Sequence, residues 1–372
     1  MAKITYLLGA GASYNACPIL EKQAEMMIYV ASKEINRLGL DLDKNKYKID
    51  YDFKDKMYLE HSENSEFKIL WYMGYFGEMA KEYNTVDTYA RKLFLNNEKH
   101  EYRLLKMCVS IFFDLWENFY QKQYNENYHK IDNRYKALFS VLLDTDGNKI
   151  SLNNDFKFIT WNYDLQLEEA FKLFLGNNFN IDLNTINSNY LKFKKEIYST
   201  CNDIFHLNGH RGFFRNVIAN SEEEYPLNVN GNLDDYWKKL HNLYKLITLG
   251  NAKFDTYINY AWEHYDLDNF FFKKISEVIN ETDVLVIIGY SFPAFNRKID
   301  QYLFNQLPYD KIKKIIYQDP NASKQIILNL FKNPQNYKDK IEILSDENDL
   351  KQFYLPNEYF ITQSLEMSFT GL

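Results

Sequence analysis

The sequence predicts an α/β protein, a doubly wound parallel sheet carrying large helical insertions. Three observations lead there. The apolar run Ile4, Tyr6, Leu7 and Leu8 breaks into Gly9-Ala10-Gly11 ahead of an amphipathic run from about Ile19 to Val30, which reads as strand, glycine turn, helix. Val284 to Ile288 (VLVII) is an unbroken aliphatic stretch, as a strand buried on both faces of a parallel sheet requires. Through the C-terminal half, strand-like and helix-like segments alternate, the pattern of parallel strands joined by helical crossovers.

The elements follow in order. Residues 33 to 150 read as helices and connecting loops: Phe67 to Met79, a helix capped by Asn84 or Thr85 with Asp87 in its first turn, and the stripe Leu104, Leu105, Cys108, Ile111, Phe112, Leu115 and Phe119 at helical spacing. Tyr135 to Leu143 reads as one more helix, leading to a turn at DTDG. A second strong strand, Phe156 to Trp161, runs into Asn162-Tyr163-Asp164 and the helix LQLEEAFKLF; a third, Ile204 to Leu207, runs into Asn208-Gly209-His210. Residues 211 to 267 read as a second insertion, a lid or plain surface, with an acidic loop SEEEYP, a turn at NVNGN and a helix around Trp237. Then come a helix from Phe270 to Ile279, the strand Val284 to Ile288, a helix from Arg297 to Phe304, the strand KIIYQDP ending in Asp319, a helix from Lys324 to Phe331, and the strand Ile341 to Leu344. The whole chain, 1–372, is expected to be one domain with insertions at 33–150 and 211–267.

The bulk composition narrows the function. Of 372 residues, 51 are acidic and 44 basic, a formal net charge of -7 without a block of one sign, so direct nucleic-acid binding is not expected. Cys17, Cys108 and Cys201 stand far apart and in no C-x-x-C pair, which argues against a zinc ribbon or a disulfide framework. No apolar run approaches the ~20 residues of a membrane span, and no cleavage site follows the N-terminus, so a cytoplasmic protein is expected.

Polar residues at the carboxyl ends of buried parallel strands are where open α/β sheets bind ligands. Gly9 and Gly11 allow close approach to a pyrophosphate, the amides at a helix start favour its charge, and Ser13 adds a hydroxyl. Asn162 and Asp164 follow the second strand, where helix capping would account for one of them but less easily for both. His206 sits at the end of the third strand, as a core histidine or as part of the same pocket. Gly289 and Ser291 end the VLVII strand in another tight polar turn, and Asp319 ends the next.

Together, GAGAS at 9–13, TWNYD at 160–164, HLNGH at 206–210 and GYSFPAFN at 289–296 resemble the sirtuin family, and more closely its SIR2-like branch in bacterial antiphage defence. The resemblance covers most of the α/β half and implies a Rossmann-like sheet. It implies that Gly9, Ala10, Gly11 and Ser13 hold the NAD diphosphate. Asn162 would lie against the nicotinamide ribose, Asp164 near the carboxamide, Gly289 and Ser291 at the adenosine half, and Asp319 at the adenine ribose. The NTVDTYA segment is similar to a helix of the defence branch. Two departures stand out. The paired C-x-x-C zinc module is absent, so no zinc is expected and protein deacylation loses ground to NAD cleavage. The catalytic histidine of the family directly precedes glycine, and here that position holds Asn208; His206 is favoured as its replacement because residues two apart on a strand share a face, with His210 as the fallback.

The function the resemblance implies is NAD+ hydrolysis to nicotinamide and ADP-ribose, with NAD as substrate, by the effector of an antiphage system. Asn162 would position the ribose or water and His206 would serve as general base. Uncontrolled NAD loss would kill the host, so a regulatory partner or assembly into a homo-oligomer is expected. The rivals are an NAD-dependent deacylase, an ADP-ribosyltransferase, and an inactive NAD- or ADP-ribose-binding module.

Overall fold

A computed structural model describes residues 2–39, 65–146, 149–176, 181–193, 202–218, 221–226, 232–248, 254–264 and 266–360. The turn expected at NVNGN lies largely outside them. In chain order, β1 (Ile4–Leu8) precedes α1 (Leu20–Arg37), α2 (Ser65–Glu82), α3 (Val86–Leu95), α4 (Lys99–Leu115), α5 (Gln121–Tyr124) and α6 (Asn133–Leu142). There follow β2 (Leu143–Asp146), β3 (Lys149–Leu152), β4 (Phe156–Thr160), α7 (Gln166–Lys172), α8 (Leu183–Asn189) and β5 (Ile204–His206). Next are β6 (Phe213–Ile218), β7 (Ser221–Pro226), α9 (Leu233–Thr248) and β8 (Phe254–Thr256). The chain continues through α10 (Phe270–Glu281), β9 (Val284–Ile288), α11 (Arg297–Phe304), β10 (Lys314–Gln318), α12 (Lys324–Leu328) and β11 (Ile341–Leu344).

The chain divides into two compact units. The first comprises 1–14, 131–208 and 260–372, and the second 15–130 and 209–259. These bounds differ from the insertion limits of 33–150 and 211–267. One consequence is at α1, which groups with the helices after it rather than with β1. The reason is local packing: a Cβ on Gly77 of α2 would lie 2.7 Å from Ile28 Cγ1 and 2.8 Å from the Ala24 carbonyl oxygen of α1, so the two helices approach to backbone contact.

The first unit is an α/β Rossmann-like fold. Its six parallel strands run in the order β11-β10-β9-β1-β4-β5. Counted along the chain within this sheet, that is the dinucleotide-fold order 3-2-1-4-5-6 read from the other edge, with its switch point between β1 and β9. The VLVII strand is at most 2 % exposed at every residue, as its two-sided burial predicts. One face carries Leu7, Ile159, Phe205 and Ile287 against Phe272 and Ile275 of α10 and Leu303 of α11. On the other, the rings of Tyr6 and Phe158 stack at 5.3 Å, and Phe139 of α6 covers Phe158 at 6.1 Å. Burying each such side chain contributes about 1.5–3 kcal/mol.

In the second unit, Thr85 is the cap of α3: its Oγ1 accepts from the Thr88 amide at 3.1 Å, while Asn84 takes a left-handed backbone with φ 67°. The apolar stripe continues past α4 as a π-helical turn, Trp116–Tyr120, rather than as a regular helix. SEEEYP, expected to be an acidic loop, is strand β7 of an antiparallel sheet ordered β7-β6-β8. Its backbone pairs in register with β6 from Ser221 opposite Ile218 to Pro226 opposite Phe213, and that ladder holds the segment extended. Likewise in the first unit, 143–152 is the hairpin β2-β3, where helix and turn alone were expected. Among the described residues no helix is long and apolar enough to cross a membrane.

Candidate functional site

Parallel register puts Gln318, Ile288, Leu8, Thr160 and His206 in one row across β10, β9, β1, β4 and β5. Asp319, Gly289, Gly9 and Trp161 each follow a member of that row. Motifs as much as 310 positions apart in the chain, Gly9 and Asp319, therefore emerge along one edge of one sheet.

The glycine loop leaves β1 at Gly9 and closes as a short 3-10 turn, Ala10–Ser13. Its glycines are explained first by the neighbouring turn. A Cβ on Gly9 would lie 2.6 Å from the Gly289 carbonyl oxygen, one on Gly11 2.8 Å from Gly289 Cα, and one on Gly289 itself (φ +60°) 2.3 Å from the Ala12 nitrogen. The Gly9 amide donates to the Ile288 carbonyl at 3.0 Å, that of Gly11 to Gly289 at 2.9 Å, and that of Ala12 back to Gly9 at 2.9 Å. The amide of Ala10 has no partner among the described residues.

Ser13 is fully buried and joins two motifs. Its hydroxyl donates to Asp164 Oδ1 at 3.2 Å, receives the Asn162 amide Nδ2 at 3.3 Å, and lies 3.1 Å from the Tyr135 hydroxyl. The same Asp164 oxygen accepts from the Gln166 amide, the first of α7, at 3.1 Å, so of the pair it is Asp164 that meets the helix start, although the cap position itself is Leu165. Asn162 is fixed instead by its own amide on Thr160 Oγ1, at 3.0 Å. The GAGAS serine thus faces Asn162, Asp164 and Tyr135 rather than presenting an outward-facing hydroxyl.

His206 adjoins Asn162: its Nδ1 is 3.4 Å from the Asn162 carbonyl oxygen. Its Nε2 donates to Glu168 Oε1 at 2.8 Å, and both side chains are at most 3 % exposed. The second Glu168 oxygen has no hydrogen-bond partner among the described residues. A carboxylate on one ring nitrogen fixes the tautomer and the orientation of the ring. Asn208, directly before Gly209, donates to the Trp161 carbonyl at 3.3 Å, while its buried Oδ1 has no partner among the described residues. His210 belongs to the second unit, where Nδ1 is 2.9 Å from the Arg211 carbonyl and the ring stacks on Tyr257 at 5.5 Å.

At the β9 end, Ser291 is exposed and Phe292 is buried with a left-handed φ of 55°, a strained conformation for a bulky residue. Tyr290 turns inward, stacks on Trp161 at 6.0 Å, and donates its hydroxyl to the fully buried Asp300, with both oxygens within 3.0 Å. Burial pushes the Asp300 carboxyl well above its usual range. Asp319 is also raised by desolvation, opposed by the Asn321 amide on its Oδ1 at 2.8 Å.

Sequence reasoning did not single out Glu168, Tyr135, Arg134 or Asp300. Glu168 carried a signal in its place four residues after Asp164, one turn into the same helix; the others belong to segments without any motif. Compared with protein-family models and with curated proteins, the chain matches none.

Proposed function

We propose that the chain is a SIR2-like NAD+ hydrolase of the antiphage-defence kind. The observation that carries this reading is the single row of strand ends. It sets the glycine loop, Asn162-Asp164, His206, the Gly289 turn and Asp319 side by side at the switch point of a dinucleotide-type sheet. In the reaction, the bond between C1′ of the ribose and the nicotinamide nitrogen breaks. Its electron pair neutralises the pyridinium, and water adds at C1′ with loss of a proton, giving nicotinamide, ADP-ribose and H+. The leaving group needs no acid. The protein must orient the ribose, hold the water and accept the proton. Asn162 has the neutral amide for orientation, and the Glu168-held His206 is the general base of this reading. The chain acts as an effector whose turnover is set by a protein partner or by self-assembly.

A second reading, an NAD- or ADP-ribose-binding module without turnover, is favoured by the burial of His206 and by asparagine at position 208. Incubating the purified chain with NAD, alone and together with the product of the adjacent gene, separates the two. Nicotinamide and ADP-ribose appear in equal amounts on the first reading. Tight ADP-ribose binding with no nicotinamide released under either condition rejects it.

A further inference from the structure

Most amides of the glycine loop are already spent on backbone carbonyls, so an anion held there needs donors from elsewhere. Arg134, in the first turn of α6, is placed to supply them. Its Nη2 donates to the carbonyl oxygens of Gly11 at 3.2 Å and Ala12 at 3.0 Å, the two groups whose negative ends would otherwise repel a phosphate at this loop. Nε and Nη2 grip the fully buried Asp132, with the Nη2 contact at 2.7 Å. Asp132 is in turn fixed by its amide on Gln166 Oε1 at 3.0 Å, in the helix that follows Asn162 and Asp164. The guanidinium lies 4.8 Å from the Tyr14 ring centroid and 4.7 Å from that of Phe353, which sets its plane. Nη1 has no protein partner among the described residues, and the side chain keeps 8 % exposure. The neighbouring residue, Tyr135, reaches Ser13, so the start of α6 clasps the loop at two points.

We infer that Arg134 is the diphosphate anchor of this site, shielding the Gly11 and Ala12 carbonyls through Nη2 and offering Nη1 as a direct donor to a phosphate oxygen of an adenosine diphosphate moiety. The inference rests on the proposed dinucleotide site and names a ligand-binding residue that none of the four motifs contains.

Calorimetric titration of the full chain with ADP, ADP-ribose and adenosine tests it. Arg134→Lys keeps Asp132 paired but has no second nitrogen to share between the carbonyls and a phosphate. It is expected to weaken ADP and ADP-ribose binding by roughly tenfold to a hundredfold while adenosine binding stays within about twofold. The double variant D132N/R134Q removes both buried charges together and retains a capping side chain at 132. With an unchanged circular dichroism spectrum it is expected to show the same selective loss. A purely structural role would weaken adenosine binding equally. Retention of ADP affinity within about twofold in either folded variant overturns the anchor and leaves the proposed activity standing. Failure of the unaltered chain to bind both ADP and ADP-ribose overturns both.

Discussion

Asn162 and His206 differ in what their loss does, although they touch. Asn162 gives up one neutral hydrogen bond to Ser13, worth about 1 kcal/mol. On the proposed reaction, Asn162→Ala is expected to lower nicotinamide release about 10²-fold or more, while this small loss moves the melting temperature by only about 2–4 °C. An enzyme that kept full turnover would remove Asn162 from the chemistry. His206→Ala is a different matter, because it strands the fully buried Glu168 carboxylate. We expect it to destabilise the fold by about 3 kcal/mol, and Glu168→Gln in the same chain to restore more than half of that. Urea midpoints give the comparison. Equal midpoints for His206→Ala and the unaltered chain would show that the pair contributes nothing, and then the loss of activity in His206→Ala could be read directly as chemistry.

Among the elements, the two interlocked turns are the most constrained. Gly289→Ala must both hold φ near +60° and push the Ala12 backbone away from a 2.3 Å contact. Gly39 has a similar φ of +65° with nothing within 4 Å of a Cβ, so it isolates the conformational part of that penalty. Gly39→Ala should cost about 1 kcal/mol and Gly289→Ala at least about 3 kcal/mol, the excess being the steric term. Similar losses in denaturation of the two variants would mean that the turns are not locked together as described. The same contrast shows why the glycine pattern signals tightness more directly than ligand binding: Gly9 and Gly11 are accounted for by Gly289 before any phosphate is considered.

At the scale of the whole molecule, buried carboxyl groups make stability depend on pH. Asp300 lies wholly inside the first unit with its carboxyl raised by desolvation. Because the folded value lies above the unfolded one, folding takes up a proton. The stabilisation is complete below the unfolded value, near 3.9, and is lost as pH rises toward the folded value. Asp300→Asn, which can still accept from Tyr290, should be comparable to the unaltered chain near pH 4 and progressively more stable than it as pH increases. A constant difference across pH 4–8 in thermal unfolding would contradict the upward shift of the buried carboxyl. Within the second unit, burial similarly pushes Asp114 up to about 7, although Arg211 lies 3.0 Å away, so the same sign of pH dependence is expected there.

Local pattern determined a good deal by itself. The aliphatic run at 284–288, the glycine break after Leu8, the alternation of strands and helices, and a helix start at Asn84 or Thr85 are all set by residues within a few positions of one another, and short-range sterics and periodicity suffice to read them. SEEEYP was not legible because its extension depends on a cross-strand partner. Nor was the grouping of α1 with α2, which Gly77 permits only once the helices meet. The order of the six strands, and with it the convergence of Gly9, Asn162, His206, Gly289 and Asp319, is a property of the tertiary structure. So is the fact that Ser13 faces Asp164, that His206 leans on Glu168, and that Arg134 covers the loop carbonyls. Each of these contacts joins residues 38 to 151 positions apart. Hydrogen bonds and burial act on distance in space, and the one-dimensional spacing of residues does not encode that distance.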